Sequence, residues 1–117
     1  MKLQVLKSKI HRAVVTETEL DYVGSITIDK EMMDAVGLYD NEKVHVFNIN
    51  SGDRFETYVI EGKPGKKQIC VNGAAARMAQ KEDRVIIVAY GLVDEEEIKN
   101  FAPKIVTMNE KNETIED

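Results

Sequence analysis

The chain has 117 residues, 43% hydrophobic and 32% charged, the balance of one globular domain able to bury its own core. A formal charge of −5 and the lack of any Lys/Arg run argue against a nucleic-acid surface, which needs a dense supply of cations. Cys70 is the single cysteine, so an internal disulfide or a cysteine-rich metal site is excluded, and its place in Ile69-Cys70-Val71 suggests inert core.

In chain order, Lys7, Lys9 and His11 interrupt the opening segment before a signal-peptide apolar region can form, and no apolar stretch reaches transmembrane length. The expectation is a cytoplasmic protein with no membrane partner. Residues rich in Val, Ile, Thr and aromatics predict strands over Leu3 to Val15 and Ser25 to Asp29. A short helix follows over Lys30 to Val36, capped by Asp29 and stopped at Gly37. Strands over Lys43 to Ile49 and Arg54 to Glu61 flank Asn50-Ser51-Gly52-Asp53, whose Asn and Gly tolerate the positive φ of a hairpin turn. Further strands are expected over Lys67 to Val71, Arg84 to Ala89 and Lys104 to Met108, with short helical pieces over Ala74 to Gln80 and Glu95 to Phe101. From Asn109 onward the residues are acidic and polar, with too little apolar surface to hold the segment, so 109–117 reads as a disordered tail on a single domain of residues 1–108. Many short strands with a few one- or two-turn helices predict a mainly β fold, a small closed barrel that leaves no long edge exposed.

Residue types and spacing alone point to little chemistry. There is no zinc-ligand spacing, no phosphate loop and no serine elbow. Strand alternation makes Lys9 and His11 project together, and Arg54 and Tyr58 likewise. From spacing alone the plainer reading is a solvated face for the first pair, an exposed Arg54 beside the hairpin, and a Tyr58 ring packed at a barrel edge.

Longer motifs change those odds. Tyr22-Val23-Gly24-Ser25-Ile26-Thr27-Ile28-Asp29 resembles the self-cleavage segment of the pyruvoyl-dependent aspartate 1-decarboxylase family. Lys9-Ile10-His11-Arg12, Asn48 with Gly52-Asp53-Arg54-Phe55 and Thr57-Tyr58, and Val71-Asn72-Gly73-Ala74-Ala75-Ala76 resemble other motifs of that family, in the same order. The similarity runs from about Met1 to Pro103. Phe47 departs from it, standing where the family often has an indole, and the segment beyond Met108 matches no motif.

The resemblance implies a double-psi β-barrel in which the Ser25 hydroxyl attacks the Gly24 carbonyl, the amide becomes an ester, and elimination followed by hydrolysis leaves Ser25 as a covalent pyruvoyl group. That cofactor would take L-aspartate as a Schiff base and release β-alanine and CO2, in the service of pantothenate biosynthesis. By the same resemblance Tyr58 is the proton donor, and Thr57 acts in processing and in substrate contact. Lys9 and Arg54 supply the cations a diacid needs, His11 lines the pocket, and Asn72, Gly73, Ala74 and Ala75 form a substrate-facing loop. No metal is implied. Thr57 and Tyr58 point to opposite faces of one strand, so both serve one site only across a bulge or between subunits, and the family assembles as a homotetramer with sites at subunit interfaces. Whether a maturation factor assists cleavage stays open. Two other readings stand beside this one: a non-enzymatic oligomeric β-barrel binding module whose chain stays whole, and a pyruvoyl decarboxylase for another amino acid.

Overall fold

The computed structural model describes residues 1–115. Apolar residues at alternate positions build its sheet. In β4 (Lys43–Asn48), Val44 and Val46 are fully buried while Lys43, His45 and Phe47 face away from the core. The same period-2 pattern buries Ile26 and Ile28 in β3 (Ser25–Asp29), Val59 in β5 (Arg54–Gly62), Ile69 and Val71 in β6 (Ile69–Asn72), and Val85 and Ile87 in β7 (Arg84–Asp94).

β1 (Lys2–Val14), β2 (Glu17–Glu19), β8 (Lys104–Met108) and β9 (Thr114–Ile115) complete the nine strands of the described residues, in the order β2-β6-β3-β5-β4-β7-β1-β8-β9. Only Val15 and Thr16 separate β1 from β2, so the ladder that starts on β2 returns to the same chain segment at β1, the connectivity of a closed barrel. The joint is hydrogen-bonded: Val15 N–H donates to the Asp83 carbonyl and Thr16 N–H to that of Ile69. The fold is mainly β, as composition and spacing predict. No helix among the described residues is long and apolar enough to cross a membrane.

The one α-helix among the described residues, α1 (Lys30–Val36), keeps its expected bounds because both caps are encoded locally. Asp29 accepts from Glu31 N–H at 2.8 Å, and Gly37 ends the helix at φ 73°. Asp29 also accepts from Gly65 N–H and Lys67 N–H, which anchors the far end of β3. The hairpin forms where Asn50-Ser51-Gly52-Asp53 predicts it, with Gly52 at φ 82° and Asn48 N–H donating to the Asp53 carbonyl.

Several expectations need correction. The pieces at Gly73–Arg77 and Glu95–Asn100 are 3₁₀ turns, too short to be α-helices between their flanking strands. β7 runs five residues past Ala89, because Tyr90 to Asp94 pair with Lys2 to Leu6. β2 is too short and polar to show in the sequence. The segment after Asn109 does not fray within the described residues. Asn112 is buried, accepts from Val14 N–H at 2.7 Å, and donates to the carbonyls of Val14 and Lys67 at 2.9 and 3.0 Å, while Thr114–Ile115 adds β9 to the sheet. One polar side chain supplies the hold that apolar surface does not. Residues 116 and 117 of that segment lie outside the described residues.

Candidate active site

β3 and β6 pair antiparallel with Ser25 opposite Asn72 and Thr27 opposite Cys70. Because Ile26, Ile28, Ile69 and Val71 fill the core, alternation places these four polar side chains together on the other face of the two-strand ladder. Ser25, Asn72 and Cys70 are only 4%, 5% and 3% exposed, so their polar atoms need partners, and they find them in one another. Asn72 Nδ2 donates to Ser25 Oγ at 2.9 Å and to Thr27 Oγ1 at 3.1 Å, and Cys70 Sγ donates to Asn72 Oδ1 at 3.1 Å. Ser25 Oγ lies 3.4 Å from the Val23 carbonyl oxygen.

β5 runs parallel to β3 on its other side, with Ile26 opposite Val59, which brings Tyr58 and Ile60 beside Ser25 and Thr27. Together with Asp21, Tyr22, Val23 and Asn72 they line an open cavity of about 600 Å³. The segment leading into Ser25 stands proud of the barrel, with Tyr22 63% and Val23 82% exposed. Gly73 supports it from beneath. At φ 75°, a Cβ there would lie 2.6 Å from Gly24 Cα and 3.0 Å from the Tyr22 carbonyl oxygen, so no other residue fits. Gly24 itself is not left-handed, and a Cβ on it would meet nothing within 4 Å. What Gly24 offers is an unhindered carbonyl.

Within one chain the structure gathers Ser25, Tyr58, Asn72 and Gly73, and leaves the expected cations elsewhere. Arg54 shares the face of Tyr58 but lies four residues along β5, roughly 13 Å away at strand rise, exposed, with its guanidinium 4.3 Å from the Phe47 ring centroid. β5 pairs with β4 without a bulge, so Thr57 keeps the face of Val59, opposite to Tyr58. Lys9 and His11 are on β1, which pairs with β7 and β8 and with none of β3, β5 and β6. His11 carries a buried Nδ1 without a hydrogen-bond partner among the described residues, and burial, then the charges of Lys9, Arg12 and Arg84, hold its pKa below the usual value. Ala74 and Ala75 lie in the 3₁₀ turn that follows Gly73, the first exposed and the second half-buried.

Sequence reasoning missed two members of this cluster. Thr27 stood inside the cleavage motif without a role. Cys70 was assigned to core, and its burial does push the thiol pKa up to about 11, so it stays protonated and unreactive. Its hydrogen bond to Asn72 follows only from β6 alternation, with Cys70 and Asn72 two residues apart.

Comparison with known proteins shows the family. The family model described as aspartate decarboxylase matches residues 1–115. A protein of Caldicellulosiruptor bescii named aspartate 1-decarboxylase is 58% identical over 98% of this chain and 90% of its own length. Those of Thermoanaerobacter pseudethanolicus and Bacillus cereus, named alike, are 51% and 54% identical, covering 98% and 96% of this chain and 98% and 88% of their own lengths. The chain belongs to the aspartate decarboxylase family.

Proposed function

We propose that the chain cuts itself between Gly24 and Ser25, that Ser25 becomes a pyruvoyl group, and that this group serves the decarboxylation of L-aspartate to β-alanine. The reaction follows from family membership, and β-alanine leads on to pantothenate. The observation that carries the self-processing is the buried Ser25 hydroxyl, held by Asn72 at the edge of the Tyr58 cavity and joined to an exposed Tyr22-Val23-Gly24 segment. That environment fits the group: the position of Ser25 opens onto a cavity large enough for aspartate and has an amide donor beside it.

When formed, the pyruvoyl carbonyl supplies an electron sink for loss of the α-carboxylate, the role that a bound cofactor plays in other decarboxylases. The remaining work belongs to side chains. Tyr58 presents a phenol to the same cavity, suited to deliver the proton that replaces the carboxylate. Asn72 lines one wall, and the Gly73-Ala74-Ala75 segment, assigned here to substrate contact, follows it directly in the chain. The diacid needs cations, yet Arg54 is exposed toward the far end of β5, and Lys9 is on β1, which pairs with neither β3 nor β5. We assign Arg54, Lys9, His11 and Thr57 to the site of a neighbouring copy in a homotetramer, where an Arg fork and a Lys point charge meet the two carboxylates. The alternatives of a binding module and of another amino acid as substrate draw no support from a full-length match to decarboxylases named for aspartate.

The test is turnover against a panel of amino acids. Aspartate is expected to yield β-alanine and CO2, while lysine and histidine yield no measurable product. Tyr58→Phe should keep self-cleavage and lose about 10²–10⁴-fold in turnover, the usual worth of general-acid assistance. Equal turnover of a basic amino acid, or full activity in Tyr58→Phe, would contradict this assignment.

A further inference from the structure

An asparagine amide has two unlike ends, and the buried Asn72 must aim one of them at Ser25. The two hydroxyls on its β3 side, Ser25 and Thr27, can each donate or accept, so they are compatible with either end. Cys70 sits at the oxygen end of the amide, and a flip would turn an amide N–H toward sulfur, a weak acceptor, while leaving one oxygen to serve both hydroxyls. A thiol buried away from cations keeps its proton and serves as a donor, and its Sγ lies 3.1 Å from Asn72 Oδ1. With the oxygen drawn to the thiol, Nδ2 is left facing both hydroxyls.

This orientation fixes the chemistry at Ser25. One lone pair of Oγ accepts from Asn72, and the hydroxyl proton is directed to the Val23 carbonyl oxygen 3.4 Å away. A single lone pair remains free. In the flipped amide Ser25 would instead donate to Asn72, and its free directions would change.

We propose that Cys70 is a positioning residue for self-cleavage: its thiol sets the amide orientation of Asn72, which in turn aims the Ser25 hydroxyl at the Gly24 carbonyl. The inference rests on the self-cleavage reading above and concerns its first step. In that step the Ser25 Oγ–Gly24 carbonyl carbon bond forms and the Gly24–Ser25 amide bond breaks. The hydroxyl proton ends on the freed Ser25 nitrogen, so the step is an isomerisation that needs no co-reactant.

The experiment follows cleavage by intact mass in full-length chain freshly made by brief cell-free synthesis, with circular dichroism and melting as controls for folding. Cys70→Ala, which removes the donor and little volume, should slow cleavage about five- to tenfold, the worth of one hydrogen bond, with the fold retained. Cys70→Ser keeps a donor and should cleave within about twofold of the unaltered chain. In an Asn72→Ala background, Cys70→Ala should add nothing, because a residue that acts through Asn72 has nothing left to act on. Unaltered cleavage in Cys70→Ala overturns the proposal. So does a Cys70→Ser as slow as Cys70→Ala, or a Cys70→Ala effect that persists without Asn72. An unaltered chain that never cleaves overturns the self-cleavage reading itself, and this inference with it.

Discussion

Gly73 and Gly24 are packed backbone to backbone, with the space of a missing Gly73 Cβ lying 2.6 Å from Gly24 Cα and 2.7 Å from Gly24 N. The loop that begins at Gly73 and the segment leading into Ser25 are thus a single packing unit, although the two glycines stand 49 positions apart in the sequence.

The first prediction follows from that contact. Gly73→Ala should displace the cleavage segment and slow cleavage by about tenfold or more, since both the contact and the left-handed φ oppose a side chain. Gly52→Ala is the control. It carries the same kind of φ strain at 82° but has open space around the added methyl, so it should lower stability by about 1–2 kcal/mol and leave the cleavage rate unchanged. Equal cleavage rates in Gly73→Ala and the unaltered chain would show that the packing is not required.

A second prediction concerns the segment after Asn109. Asn112 makes three hydrogen bonds to backbone groups of Val14 and Lys67 from a left-handed conformation at φ 58°. Asn112→Ala strands buried backbone groups and adds φ strain, so it should cost about 2–3 kcal/mol. Asn112→Gly removes the same hydrogen bonds without the strain and should recover about 1 kcal/mol of that loss. Denaturant melts of the two variants measure the difference; identical midpoints for both and the unaltered chain would mean that the segment does not hold the barrel.

His11 provides a pH dependence. Its folded pKa lies below the ordinary 6.5, first because of burial and then because of Lys9, Arg12 and Arg84. As pH is lowered through 6.5 the unfolded chain therefore takes up a proton that the folded chain resists, and stability falls as pH falls. The stability is fully present above 6.5 and is lost progressively below it. His11→Gln removes this linkage, so its melting temperature should decline less than that of the unaltered chain between neutral and mildly acidic pH. Parallel declines would show that His11 is not the group responsible.

Where a feature is encoded by neighbours in sequence, it was legible. Asp29 and Gly37 bound α1 at both ends, and Asn50-Ser51-Gly52-Asp53 made the hairpin, because caps and turns depend on a few adjacent residues. Features set by distant pairing were not. β2 exists through Cys70 to Asn72, β9 through Thr107 and Met108, and the order after Asn109 through Val14 and Lys67. The site divides along the same line: strand alternation foretold that Arg54 and Tyr58 share a face, yet spacing could not reveal that Ser25 meets Asn72 across a ladder while Lys9 and Arg54 stay away from it. The link from Cys70 through Asn72 to Ser25 needs the β3–β6 register, which no local pattern prints.

The most direct test of the central claim is the intact mass of the purified protein beside that of Ser25→Ala. The account predicts two pieces for the unaltered chain, residues 1–24 ending in a free carboxylate at Gly24 and residues 25–117 beginning with a pyruvoyl group in place of the Ser25 amine. Ser25→Ala, which removes the attacking hydroxyl and little else, should fold, remain one chain and form no β-alanine. An unaltered protein that decarboxylates aspartate while remaining a single intact chain, or a Ser25→Ala protein that still makes β-alanine, would contradict it.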